Sequence, residues 1–433
     1  MKLWLIAVAA LLCAGARALP PPSIPGIDAP QLAALGTNDV GFRSVTLIDQ
    51  ARPNLQNADP KGSIVPLYDR KLIVDIWYPA RAAKASKTVT YRSSLWGEPP
   101  LPPVAFTQAG IAVAGAKPVG TRYPLVIVSH GYSNAPAVMT WLTENLASKG
   151  YVVAAIHHDD PNPYVVSAEK RAAPNHDRPR DIAFVTAQLR ATLGTQIDPT
   201  RTALIGYSQG GYGVLTAGGA SLDPDHPNMT LVAGGSLKPF ARGQSRAGEL
   251  IVPNVKAIIA LAPGGGGDQS AWGAAGLASV KAPLLFIAGD SDPVVGYEKA
   301  AKTFFAQSVN SDRYLLTYKQ AGHSVALNPV PIEMRGAVWD IDWFEDPVWR
   351  NARITAINLH FITAFLGLHL RGEENKRAFL DVPNEESDAG EWNATQGTRW
   401  GAYSPGGNGV TLWKGFQRRH ARGMVLRHLE AGQ

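Results

Sequence analysis

The chain has 433 residues, 45% of them hydrophobic, with 41 Lys and Arg against 35 Asp and Glu for a formal charge of +6. That is enough apolar content for one large core plus extensions, and too small and scattered a positive charge to argue for a nucleic-acid partner. The 43 glycines and 33 prolines point to many turns and long loops rather than a helical bundle. The single cysteine, Cys13, leaves the mature chain without a disulfide, a thiolate nucleophile or a cysteine metal site.

In chain order, Met1 and Lys2 lead into an apolar segment, residues 3–16, that is short for a bilayer span. With the small-x-small pattern Ala16-Arg17-Ala18 it reads as a secretory signal, residues 1–18, which implies a secreted or periplasmic protein; a membrane anchor is the alternative. A Pro-rich arm, residues 19–40, follows. Residues 41–49 and 71–78 read as the first strands, the second stopped by Pro79, which has no N–H for a ladder. Further apolar runs lie at 123–129, 151–156, 203–205, 255–261, 283–288 and 314–318. They are short and nearly all hydrophobic, the pattern of a parallel sheet covered on both faces. Helical stretches at 137–149, 178–193, 210–220, 297–307 and 353–370 alternate with them, so the fold class is α/β, a mostly parallel, doubly wound sheet. Two inserts, 221–250 and 328–351, interrupt the alternation and read as lids or pocket walls. A C-terminal extension, residues 371–433, ends in a basic, partly amphipathic segment (residues 414–429). It reads as a surface helix docked on the domain, with contact to anionic membrane lipid as the alternative.

The chemistry concentrates at strand ends. Gly206-Tyr207-Ser208-Gln209-Gly210 sets a serine between two glycines where an apolar run meets a small-residue helix, the pattern of a nucleophile on a strand-to-helix turn. Such a turn leaves no room for side chains two positions before and after the serine. Ser129-His130-Gly131-Tyr132 ends another strand, and the main-chain N–H groups of Tyr132 and Gln209 are the candidate oxyanion donors. Asp290 and Asp292 follow the strand at 283–288; Asp292 is the better acid, and helix capping is the alternative role for both. His323, after the run at 314–318, is the candidate base, oriented by Asp292. The group His157-His158-Asp159-Asp160 has adjacent residues that point apart and reads as a polar loop near the site rather than a metal centre. Trp96, Trp272, Trp339 and Trp343 lie in expected loops, as pocket lining or as packing.

With those pieces placed, residues 41–370 resemble the α/β-hydrolase superfamily. The likeness is to secreted bacterial esterases related to platelet-activating-factor acetylhydrolases, cutinases and dienelactone-hydrolase-like proteins. It is carried by residues 126–132, 75–80, 178–182 and 206–211. The resemblance implies an α/β-hydrolase fold and hydrolysis of a small or polymeric carboxylic ester through an acyl-enzyme, with Ser208, Asp292 and His323 as the triad and no cofactor or metal. Ser208 departs from the cysteine nucleophile of true dienelactone hydrolases. A serine peptidase or amidase is the second reading, and a non-catalytic binding protein on the same scaffold the third.

Overall fold

The computed structural model describes residues 20–59, 64–96, 100, 102–162, 164, 166–230, 232, 235–267, 271–334, 343–391 and 410–433. The expected signal segment and Trp339 lie outside the described residues.

Thirteen strands are described: β1 (Asp39–Pro53), β2 (Leu67–Arg81), β3 (Thr90–Leu95), β4 (Val104–Ala109), β5 (Val113–Ala114), β6 (Lys117–Pro118), β7 (Tyr123–Ser129), β8 (Val152–His157), β9 (Ile197–Tyr207), β10 (Val255–Leu261), β11 (Leu284–Gly289), β12 (Arg313–Tyr318) and β13 (Met424–Leu429). Strands β3 and β4 form a separate hairpin, and the others make one sheet in the order β13-β12-β11-β10-β9-β7-β8-β2-β1-β5, with β6 beside β2. The six strands from β12 across to β8 are parallel, while β2, β1 and β13 close the two flanks antiparallel. Nearly every residue in those six strands is buried, because helices cover both faces, and this is why they read as unbroken apolar runs rather than as alternation.

The helices are α1 (Thr140–Ser148), α2 (Ala168–Arg171), α3 (Pro174–Thr192), α4 (Gln209–Ala217), α5 (Gly273–Leu277), α6 (Thr303–Gln307) and α7 (Asn351–Arg371). Two cores result. One lies under α1 and α7 and holds Trp141, Leu142, Ile357, Phe361 and Phe365; the other lies under α3 and α4 and holds Ile182, Tyr212, Leu215, Trp272 and Phe304. After β7 the chain turns to β8 on one side, then crosses back to place β9 on the other side of β7. That reversal opens a crevice at the carboxyl ends of β7 and β9, the place where ligands bind in open α/β sheets.

Helix α7 is long and apolar enough to cross a membrane, yet 89% of its most apolar window is buried inside the protein. Both termini cover it. The arm at 20–38 is pinned by Leu32 N–H to His360 Nδ1 (3.2 Å) and by Ser23 Oγ–H to Glu144 Oε2 (2.6 Å), and Gln31 N–H reaches Gly415 O (2.8 Å) in the extension. The extension supplies Phe379, Leu380, Trp413, Phe416, Met424 and Leu426 to the same core.

Two expectations are corrected. The basic C-terminal segment is not a helix: residues around 414–420 form turns, and Met424–Leu429 is the edge strand β13, paired antiparallel with β12. Its alternation of buried Met424 and Leu426 with exposed Arg427 is a period-two pattern, and the open edge of β12 selects it. The amphipathic-helix ground for membrane contact falls with it. The insert 221–250, expected as a lid or pocket wall, instead packs Leu222, Met229, Val232, Leu237, Phe240 and Leu250 into the core under α3 and α4.

Candidate active site

Ser208 follows β9 immediately and is the residue before α4, with φ 53° and ψ −117°. This is a strained conformation for a residue with a side chain, and the surroundings enforce it. A Cβ on Gly206 would lie 2.1 Å from the carbonyl oxygen of Gly210, and one on Gly210 would lie 2.0 Å from that of Ser129. Both clashes are with backbone, so only glycine fits at either place. Ser208 N–H bonds to Leu261 O (2.9 Å), and Gly264 N–H bonds to Ser208 O (2.9 Å), which fastens the turn to the end of β10.

Because β9, β11 and β12 run parallel, the loops that follow them leave the same edge of the sheet. His323 Nε2 lies 3.0 Å from Ser208 Oγ, and His323 Nδ1 lies 2.7 Å from Asp292 Oδ2. The second oxygen of Asp292 accepts the N–H groups of Val294 (2.8 Å) and Val295 (3.1 Å). Asp292 is almost fully buried; burial disfavours its charge, but His323 and those two N–H groups outweigh burial and hold its pKa below the ordinary carboxylate value. An acceptor-only carboxylate requires Nδ1–H on His323 and leaves Nε2 free to accept the Ser208 hydroxyl proton. Tyr207 braces the imidazole, with ring centroids 5.2 Å apart and its hydroxyl on His323 O at 3.3 Å. Asp290 stands outside this chain: it is exposed and accepts Gln320 N–H (2.6 Å).

A pocket of about 460 Å³ opens over Ser208. Tyr132 and Asn134 border it on the β7 side, Pro293 and Val294 on the acid-loop side, and Trp343, Glu345 and Asp346 from the insert 328–351 on the third. These described residues of the insert line the pocket, and no described residue of 221–250 does. Of the other tryptophans, Trp272 is wholly buried and stacks on Tyr212 (4.8 Å), while Trp96 is exposed and away from the pocket. Gln209 is the first residue of α4, so its N–H has no intrahelical acceptor, and Tyr132 lines the same pocket as Ser208.

A second Ser-His-Asp row lies behind the first. Ser129 Oγ is 2.9 Å from His158 Nε2, and His158 Nδ1 is 2.8 Å from Asp181 Oδ2, with Ser129 and the side chains of His158 and Asp181 fully buried. Asp181 is also held by Arg70 (two contacts at 2.9 Å) and by Arg52, and burial followed by the charge of Arg178 lowers the His158 pKa to about 4. His158 is therefore a neutral structural imidazole within the polar loop at 157–160, where Asp159 is exposed and Asp160 pairs with Arg178 of α3, so one histidine of that loop joins a buried row. Spacing along the chain carries no sign of this, since Ser129, His158 and Asp181 meet only after β7, β8 and α3 assemble.

Among solved structures, this architecture matches a ferulic acid esterase from Streptomyces cinnamoneus with a TM-score of 0.50, covering 79% of this chain and 94% of that one at 20% identity. The chain has the α/β-hydrolase fold. A family model described as PETase, PET hydrolase-like, matches residues 113–227, a span that takes in Tyr132 and Ser208 and ends before Asp292 and His323. Cutinase 1 of Thermobifida cellulosilytica is 34% identical over 107 residues, and Cutinase est1 of Thermobifida alba is 31% identical over 103 residues. Each match covers 24% of this chain, and about a third of the relative: 36% and 32% of their respective lengths. No group of three or more His, Cys, Asp or Glu suited to a metal ion occurs among the described residues.

Proposed function

We propose that this chain is a serine hydrolase of carboxylic esters that works through an acyl-enzyme. The observation that carries the reading is the row Ser208 Oγ, His323 Nε2 (3.0 Å) and His323 Nδ1 to Asp292 Oδ2 (2.7 Å) at the floor of an open pocket. His323 takes the Ser208 proton as Oγ attacks the ester carbonyl, and the imidazolium is stabilised by the Asp292 carboxylate. The oxyanion forms against the N–H groups of Tyr132 and Gln209, with the amino end of α4 adding its partial positive charge. The protonated His323 then hands its proton to the leaving alkoxide. Water, activated by the same imidazole, attacks the acyl carbon and releases the acid, restoring Ser208.

The matches to cutinases and to a PET hydrolase-like model support an ester over an amide as the substrate. The apolar walls from Pro293, Val294 and Trp343 suit an acyl or aromatic group. The leader at residues 1–18 supports export as a secreted or periplasmic enzyme, which the amino-terminal sequence of the mature protein tests. The replacement Ser208→Ala is expected to lower kcat on a short-chain aryl ester by at least about 10⁴-fold with the fold intact. Undiminished hydrolysis by that variant rules the assignment out.

A further inference from the structure

Residues 178–182 carry part of the family likeness, yet none of them touches the proposed triad. Arg178 is fully buried on α3 and spends its guanidinium on the loop after β7. Nη1 donates to Ser129 Oγ (3.2 Å) and to His130 O, Nη2 donates to Gly131 O (2.9 Å), and the opposite edge holds Asp160 through Nε to Oδ1 (3.0 Å) and through Nη2 to Oδ2. Asp160 Oδ2 also accepts Ser133 N–H (3.0 Å), so the pair grips the loop on both sides of Tyr132. His130 adds a second donor to Gly131 O, from Nδ1 at 2.7 Å. Because Ser129 Oγ accepts from Arg178, its own proton goes to His158 Nε2, and His158 Nδ1–H goes to Asp181. The buried Ser-His-Asp row is thus a strut for the same loop.

We infer that Arg178, clamped by Asp160, is the positioning residue of the oxyanion hole. In a trans peptide unit the carbonyl and the following N–H point in opposite directions. With Gly131 O drawn back onto Arg178 and His130, the N–H of Tyr132 is turned away from α3 and towards the pocket that Tyr132 shares with Ser208. A lysine in place of Arg178 offers one point charge and cannot span two carbonyls and a carboxylate in a single plane.

This inference rests on the ester-hydrolase reading and on Tyr132 as a donor. The test compares wild type, Arg178→Lys and Asp160→Asn for kcat and KM on an aryl ester. Rates are normalised to the Ser208 that reacts with a fluorophosphonate, and the inhibition constant of an alkylboronic acid, which forms a tetrahedral adduct on Ser208, is measured alongside. Arg178→Lys is expected to lower kcat per reactive site by about 30- to 300-fold, with KM within about 3-fold and boronate affinity falling in parallel with kcat/KM. Asp160→Asn is expected to show the same pattern at about 10-fold, and it decides the question if Arg178→Lys does not fold. Variants that lose melting temperature or reactive sites while keeping kcat per site and boronate affinity overturn the inference and leave a purely structural pair. A wild-type protein that neither hydrolyses the ester nor reacts at Ser208 removes the underlying reading instead, and the inference with it.

Discussion

Replacing Gly210 with alanine puts one carbon where the backbone of the turn and the backbone of the loop after β7 already touch. The new Cβ lies 2.0 Å from Ser129 O and 2.7 Å from His130 O. A relaxed carbon–oxygen contact needs on the order of 3.5 Å, so the two segments must part by roughly 1 Å or more, and neither is a flexible side-chain tip that can swing aside. Ser129 and His130 lead directly into Tyr132, and Gly210 lies two residues after Ser208, so the parting separates the proposed nucleophile from one of its two oxyanion donors. A misplacement of about 1 Å costs on the order of 10²-fold in rate, and overpacking of this kind costs about 1–3 kcal/mol of stability. Gly210→Ala is therefore expected to keep its fold with a lowered unfolding midpoint, and to lose about 10²-fold in kcat per fluorophosphonate-reactive site. Urea unfolding and active-site titration measure the two effects separately. A variant with both wild-type stability and wild-type kcat refutes the steric argument for the turn.

Three further outcomes are expected. A fluorophosphonate adduct mapped by mass spectrometry is expected on Ser208 alone and not on Ser129, because Ser129 is fully buried; labelling at Ser129 contradicts the assignment of roles. His360 sits among Phe361, Phe379 and Phe416, and burial, ahead of nearby lysine charge, lowers its pKa to about 3 from an ordinary 6.5. The unfolded chain thus takes up a proton below pH 6.5 that the folded chain refuses. The stability from its neutral form is complete above pH 6.5 and falls by about 1.4 kcal/mol per pH unit on the way towards pH 3; His360→Leu is expected to flatten that slope in denaturant titrations at stepped pH, and an unchanged slope refutes it. Glu144 accepts from Tyr91 Oη (2.7 Å), Ile111 N (2.8 Å), Ala112 N (3.0 Å) and Ser23 Oγ (2.6 Å), so Glu144→Ala strands several buried donors and is expected to cost about 3 kcal/mol or more. Glu144→Gln keeps an oxygen for three of them and is expected to cost about 1 kcal/mol, and equal losses in the two variants refute the hydrogen-bond account.

The amino-acid sequence by itself determined the parts whose causes are local. Continuous apolar runs mark strands covered on both faces, and the steric demand of a strand-to-helix turn shows as Gly206 and Gly210 around Ser208, since any other residue would drive a Cβ into backbone. Asp292 and His323 stand out because each follows an apolar run, with Gly289 three residues before the one and Gly322 next to the other, and parallel strands send such loops to one edge. The tertiary structure decided everything that depends on what packs against what. Met424–Leu429 became a strand because the edge of β12 lay open to pair with it, and a strand's preference is set by its neighbours more than by its own residues. The insert 221–250 went to the core under α3 and α4, while 328–351 walled the pocket, and composition alone treated them alike. Two Ser-His-Asp rows satisfy the same chemistry at nearly the same distances; solvent access distinguishes Ser208 from Ser129, and access is a property of the assembled surface. Arg178 is the same kind of case: its acceptors, residues 129–131 and 160, lie before it in the chain and are gathered only when α3 docks beneath the loop after β7.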